Sequence, residues 1–284
     1  MLACPATRGT GGGSIEGMQA VSLTWVDAFT EAKFAGNPAG VCLLEKPLAA
    51  DDMQSLATEL GIAETAFVVP GATPDAFDLR WFSPQVEIDL CGHATLAAAH
   101  ALRTSALVDG SGPITFSTRS GLLSATFDGD LIELNFPAET INEAPLPASL
   151  AQQWGSGVVV GSGTTGFFSV VTLVEEDAVR RYRPDLEAIA STGAPALLLM
   201  AAADPATEAD YVLRVFAPNV GIDEDPATGS AHCVAGPYFS GALGLPELVA
   251  RQLSARGATF YVRPDGPRVR IGGHAVTVFT GHLC

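Results

Sequence analysis

A chain of 284 residues, 48% hydrophobic and 16% charged, is long enough for a sizeable core and about two domains. Its formal charge of −16, with only 15 Lys and Arg, excludes nucleic-acid binding, which needs clustered positive charge against phosphates. The same acidity means that an anionic substrate must be held by local donors, not by the overall field.

No apolar run reaches the ~20 residues that span a bilayer, so no membrane segment is expected. Five cysteines, Cys4, Cys42, Cys91, Cys233 and Cys284, are widely spaced without a CxxC pair. A disulfide framework or a cysteine zinc site is therefore not expected, and a reducing, cytoplasmic setting fits.

In chain order, residues 1–17 carry Pro5, Arg8 and Gly11–Gly13 but no apolar h-region. They read as a flexible leader, with Met18 the functional start. Strands are expected at 21–29 and 41–44, with Gly36-Asn37-Pro38 as a turn whose Asn37 amide can face a ligand. A helix is expected over 51–60, capped by Asp51 or Asp52, and a strand at 66–69. Residues 79–89, L-R-W-F-S-P-Q-V-E-I-D, are echoed by 213–223, L-R-V-F-A-P-N-V-G-I-D, with seven of eleven positions identical. The offset of 134 residues is about half the chain from Met18, so the echo implies two similar halves. A helix follows each copy, over 93–103 and over 226–239. Asp225 is the expected N-cap of the second and Pro226 its first residue. Strands at 114–117, 122–127 and 131–136 complete a first half, 18–140. Strands at 158–160, 167–174, 197–200, 259–262, 269–271 and 275–279 fill a second, 141–284, whose last strand can cross to the first. Many strands against few helices in each half means α+β, a helix packed on a curved sheet.

The chemistry-bearing candidates cluster around these elements. Two helix starts, one per half, offer unpaired N–H groups and can bind a carboxylate without Arg or Lys. Glu64 lies at a helix-to-strand junction among Ile62, Ala63, Ala66 and Phe67. A carboxylate partly desolvated there suits a group that both takes and gives a proton; the plainer reading is an exposed capping glutamate. His93 can donate to a substrate oxygen or relay a proton. Cys91 is either a helix-start thiol or a packing residue. Asp225 caps its helix, serves the site, or both. Ser230 in T-G-S-A lacks a nucleophile elbow, and no Walker or dinucleotide fingerprint occurs.

Five segments together resemble the PhzF-like family of phenazine-biosynthesis-type isomerases: D-A-F-T-E-A-K-F-A-G-N-P-A-G-V (27–41), A-E-T-A-F-V (63–68), D-L-C-G-H-A-T (89–95), E-D-P-A-T-G-S-A (224–231) and I-G-G-H-A-V-T-V (271–278). The resemblance implies a diaminopimelate epimerase-like fold of two pseudo-symmetric halves, each a sheet wrapped round a central helix, with the site between them. It implies no metal and no organic cofactor, a homodimer, and a small carboxylate substrate such as trans-2,3-dihydro-3-hydroxyanthranilate. Glu64 matches the proton-shuttling glutamate, His93 and Asp225 the site histidine and aspartate. Gly92, Gly229 and Ser230 match positions near the substrate carboxylate. Related two-thiol epimerases place one cysteine on each side of a stereocentre. Cys91 matches the first, but Asp225-Pro226-Ala227 stands at the second place, so a one-base shuttle fits better. Two other readings stay open: a thiol-assisted epimerase using Cys91, and a non-catalytic binding or scaffold protein on an enzyme fold.

Overall fold

A computed structural model describes residues 21–283; the expected leader lies outside the described residues. The first half runs β1 (Val21–Ala28), β2 (Asn37–Leu43), α1 (Ala50–Leu60), β3 (Glu64–Pro70), β4 (Ala76–Phe82), β5 (Glu87–Ile88), α2 (Gly92–Thr104), β6 (Ile114–Thr118), β7 (Gly121–Asp128) and β8 (Leu131–Pro137). There follow β9 (Asn142–Glu143), α3 (Ala148–Ala151), β10 (Val159–Thr164), β11 (Phe168–Leu173), α4 (Glu176–Arg181), α5 (Leu186–Ala190), β12 (Ala196–Ala202) and β13 (Tyr211–Ala217). The chain ends with β14 (Ile222–Asp225), α6 (Gly229–Leu243), β15 (Leu248–Gln252), β16 (Ala258–Asp265), β17 (Arg268–Gly273) and β18 (Ala275–Leu283).

The pairing repeats between halves. β1 to β2 is antiparallel, β2 to β3 parallel, β3 to β4 antiparallel and β4 to β6 parallel. β10 to β11, β11 to β12, β12 to β13 and β13 to β15 follow the same alternation. Antiparallel β8–β17 joins the halves. The second half also lends a strand: β18 pairs with β1 along the whole length of β1. The α+β fold of two pseudo-symmetric halves is thus as the sequence implies.

Each half wraps a central helix. α2 packs on β1, β2, β3 and β8, and α6 on β12, β16 and β17. α2 is alanine-rich and buried from His93 to Ala99; small side chains let strands close round it. α6 continues through Pro237. That proline has no N–H for the Cys233 carbonyl, which accepts instead from Glu139 N at 3.0 Å.

Two expected caps are corrected. Ala49, not Asp51 or Asp52, precedes α1; both aspartates sit in its first turn, where their charge favours the dipole. α6 starts at Gly229 behind Thr228, not at Pro226 behind Asp225, because Asp225 is still paired in β14 with Val215 of β13.

Candidate active site

Asn37 opens β2 directly after Gly36. Gly36 takes a left-handed φ of 62°, and a Cβ there would lie 2.1 Å from the Ala28 carbonyl oxygen. The buried Asn37 amide then crosses between halves. Its Nδ2 donates to Asp225 Oδ1 at 2.8 Å and to Ala227 O at 3.0 Å, and lies 3.3 Å from His93 Nδ1.

Glu64 is the first residue of β3, beside Ala39 of β2. Its Oε2 lies 2.9 Å from His93 Nε2 in the first turn of α2. Among the described residues this buried oxygen has no hydrogen bond beyond that ion pair, and the buried Asn37 Oδ1 has none. Cys91, just before α2, brings Sγ to 3.5 Å from His93 Nδ1.

Burial opposes charge on His93, but the Cys91 sulfur and the Glu64 carboxylate outweigh it and hold its pKa well above the usual imidazole value. Burial pushes the Cys91 thiol up, and neighbouring His93 only partly offsets this. With the thiol protonated at neutral pH, the Glu64 carboxylate is the partner that counts. Burial also raises Asp225, against His93 and the hydrogen bonds from Thr228 and Asn37.

Two residues that sequence reasoning missed complete the cluster. Thr228 Oγ1 donates to Asp225 Oδ2 at 2.5 Å, so both carboxylate oxygens of Asp225 are engaged. Buried Gln252, the last residue of β15, accepts from Thr228 N at 2.7 Å and donates to Asp225 O at 2.6 Å. Leu248, Ala250 and Gln252 are the buried phase of that strand; a glutamine in an inward phase is the signal that could have found it.

The two helix starts meet. A Cβ on Gly92 would lie 3.7 Å from Gly229 Cα, and one on Gly229 3.8 Å from Gly92 Cα. Neither Cys91 nor Thr228 makes a side-chain cap, so no such cap satisfies the first-turn N–H groups. Ser230 stands apart, exposed in the first turn of α6. The pseudo-symmetric counterpart of Cys91 is therefore Thr228, not Asp225-Pro226-Ala227, and Cys233 is buried further along α6. By strand register the counterpart of Glu64 is Ala196, so the carboxylate stands on one side only.

The echoed arginine does one task twice. Arg80 grips Glu87 with two hydrogen bonds of 2.7 and 2.8 Å, and Arg214 grips Glu224 with two of 2.7 and 2.9 Å. Each fork ties down the hairpin that delivers a central helix start. A surface cleft of about 640 Å³ opens beside the cluster, between residues 30–35 and 251–257, with Gln252 in its lining. None of Asn37, Glu64, Cys91, His93 or Asp225 lines it, so cleft size does not locate this cluster. Among the described residues, Glu64, Cys91 and His93 bring three donors of metal-ligand type within 4.8 Å of one another.

Residues 26–281 match the phenazine biosynthesis-like protein family. An uncharacterized isomerase of Pseudomonas aeruginosa is 43% identical over 259 residues, covering 91% of this chain and 96% of its own. The crystal structure of a PhzF family protein from Enterococcus faecalis superposes with a TM-score of 0.88 at 34% identity, over 94% of this chain and all of that one. A hydroxyproline epimerase from Agrobacterium vitis shares the fold, with a TM-score of 0.60 at 14% identity over 93% of this chain and 92% of its own. With its motifs, its twofold architecture and these likenesses in agreement, the chain belongs to the phenazine biosynthesis-like, PhzF family.

Proposed function

We propose that this chain, from a PhzF-like isomerase family, moves one proton on a small carboxylate-bearing substrate, cyclic or amino-acid-like, and that Glu64 both takes and returns it. The observation that carries the reading is the one-sided Glu64–His93 pair, 2.9 Å apart and buried beside two uncapped helix starts. The helix starts supply N–H groups for the substrate carboxylate. Glu64 then removes a proton from one carbon; the electron pair shifts through the conjugated system, and the same carboxyl group delivers the proton to another carbon. The His93 imidazolium stands against the Glu64 carboxylate through both transfers, and Asp225, fixed by Asn37 and Thr228, faces the substrate's polar groups. Neither a metal nor an organic cofactor takes part in this reading.

Incubation in deuterium oxide with candidate cyclic and amino-acid carboxylates, trans-2,3-dihydro-3-hydroxyanthranilate among them, is the test, read by proton NMR. Glu64→Gln should cut deuterium incorporation at least ~10²-fold with folding and ligand binding largely kept. Full exchange in that variant removes Glu64 from the chemistry. The thiol-assisted alternative requires Cys91→Ala to abolish exchange; the raised thiol and the thiol-free Thr228 side speak against it. Binding without exchange at any carbon would favour the non-catalytic reading.

A further inference from the structure

We infer that Glu64, Cys91 and His93 form an inhibitory site for a thiophilic divalent cation, for which zinc is the probe. The three residues come from separate places in the chain, the start of β3 and the start of α2, so no sequence spacing announces the site. Their ligand atoms all lie within 4.8 Å of one another, and the three side chains are buried. His93 Nε2 is 2.9 Å from Glu64 Oε2 and 4.0 Å from Cys91 Sγ. Zinc bond lengths place tetrahedral ligands about 3.4–3.6 Å apart, so the closest pair must open by roughly half an ångström and a pair at the 4.8 Å limit must close by about 1.2 Å to share one ion. The second observation is Glu64 Oε2 itself, an oxygen of a carboxylate only 9% exposed, which among the described residues has no hydrogen bond beyond its ion pair with His93, another donor of the set.

The donor set sorts metals. Thiol with imidazole selects zinc over magnesium or calcium, which prefer oxygen ligands. Three protein ligands leave a fourth position to water. Coordination sends the thiol proton and the Nε2 proton to solvent. It also occupies the Glu64 lone pairs that would accept the substrate proton, so the bound ion blocks turnover. This inhibition rests on the proposed role of Glu64; the binding does not.

The test uses metal-stripped full-length protein with Cys4 and Cys284 changed to serine, so that thiols outside the described residues contribute nothing. Isothermal titration with zinc chloride should give one site per chain, and magnesium none. Cobalt(II) should give a thiolate-to-metal charge-transfer band. Cys91→Ser should abolish that band and weaken zinc binding at least tenfold, and Glu64→Gln should weaken it too. Cys42 and Cys233, both buried, stay in place as internal controls. One equivalent of zinc should stop proton exchange, and chelator should restore it. No zinc binding, or binding indifferent to Cys91→Ser and Glu64→Gln, overturns the site; bound zinc that leaves exchange untouched overturns its inhibitory role. Full exchange in Glu64→Gln, with zinc still held through Cys91 in the parent protein, removes the functional reading and leaves the cation site standing.

Discussion

His232 is fully buried in α6, its ring against Phe260 and its Nδ1 2.7 Å from the Tyr211 hydroxyl. Among the described residues Nε2 has no hydrogen-bond partner, so a charge there would be uncompensated. Burial lowers the His232 pKa from 6.5 to about 3. The unfolded chain therefore binds the proton more readily between those values. Stability is full above about pH 6.5 and falls as pH drops toward the folded value. Urea denaturation should lose about 2 kcal/mol between pH 7 and pH 5 from this one residue. His232→Gln should flatten that slope; an unchanged slope would mean that the histidine is not held neutral. No pattern in the sequence singles His232 out, because its character comes from Tyr211 and Phe260, 21 and 28 residues away. Glu64, by contrast, lies in its own motif, though its pairing with His93 needs β3 and α2 brought together.

Between elements, the 29–36 loop is stitched to the second half. Asp27, 1% exposed, accepts from Phe34 N at 2.7 Å and from Arg256 at 2.8 Å. Arg256 also donates to the carbonyls of Gly36 and Ala35, and Gly36 N donates to Gly257 O at 2.8 Å. This latch sets the residue before Asn37, whose amide must reach Asp225 in the other half. Arg256→Met leaves Asp27 buried without its cation. The stability loss should be roughly 2–3 kcal/mol, below the ~3–5 of a fully buried pair because Arg256 keeps about a third of its side chain in water. Proton exchange should fall about tenfold or more as Asn37 drifts, and Arg256→Lys, which keeps charge but not the fork, should fall between. Denaturation midpoints with exchange rates measure both, and wild-type exchange in a folded Arg256→Met would separate the latch from the site. The latch was hidden because its partners are more than 200 residues apart. The start of α6 was misplaced for a local reason: Asp225-Pro226 has the form of a cap and a first helical residue, yet Asn37 and Thr228 already hold that carboxylate. The echo was readable because both strands bury the same leucine and phenylalanine, Leu79 and Phe82 against Leu213 and Phe216, and carry the same Arg fork.

At the scale of the molecule the halves are alike in pairing but not separable. A division at residues 140–141, which we propose as the domain boundary, falls between β8 and β9. A cut there would strip β18 from β1, exposing a pairing edge eight residues long, and would open the β8–β17 seam. The cluster itself depends on both halves, since Asn37 and Asp225 meet across them. The whole chain should therefore unfold as one unit despite its twofold plan. Trp25 and Trp81 report on β1 and β4, while Trp154 stacks on Tyr182 in the second half. Keeping one tryptophan at a time, with phenylalanine at the other two, gives fluorescence probes for each half. Their urea transitions should coincide with each other and with far-ultraviolet circular dichroism, and deletion of residues 275–283 should lower both together. A second-half transition that persists after the first half has melted would show that β18 and the β8–β17 seam do not couple the halves.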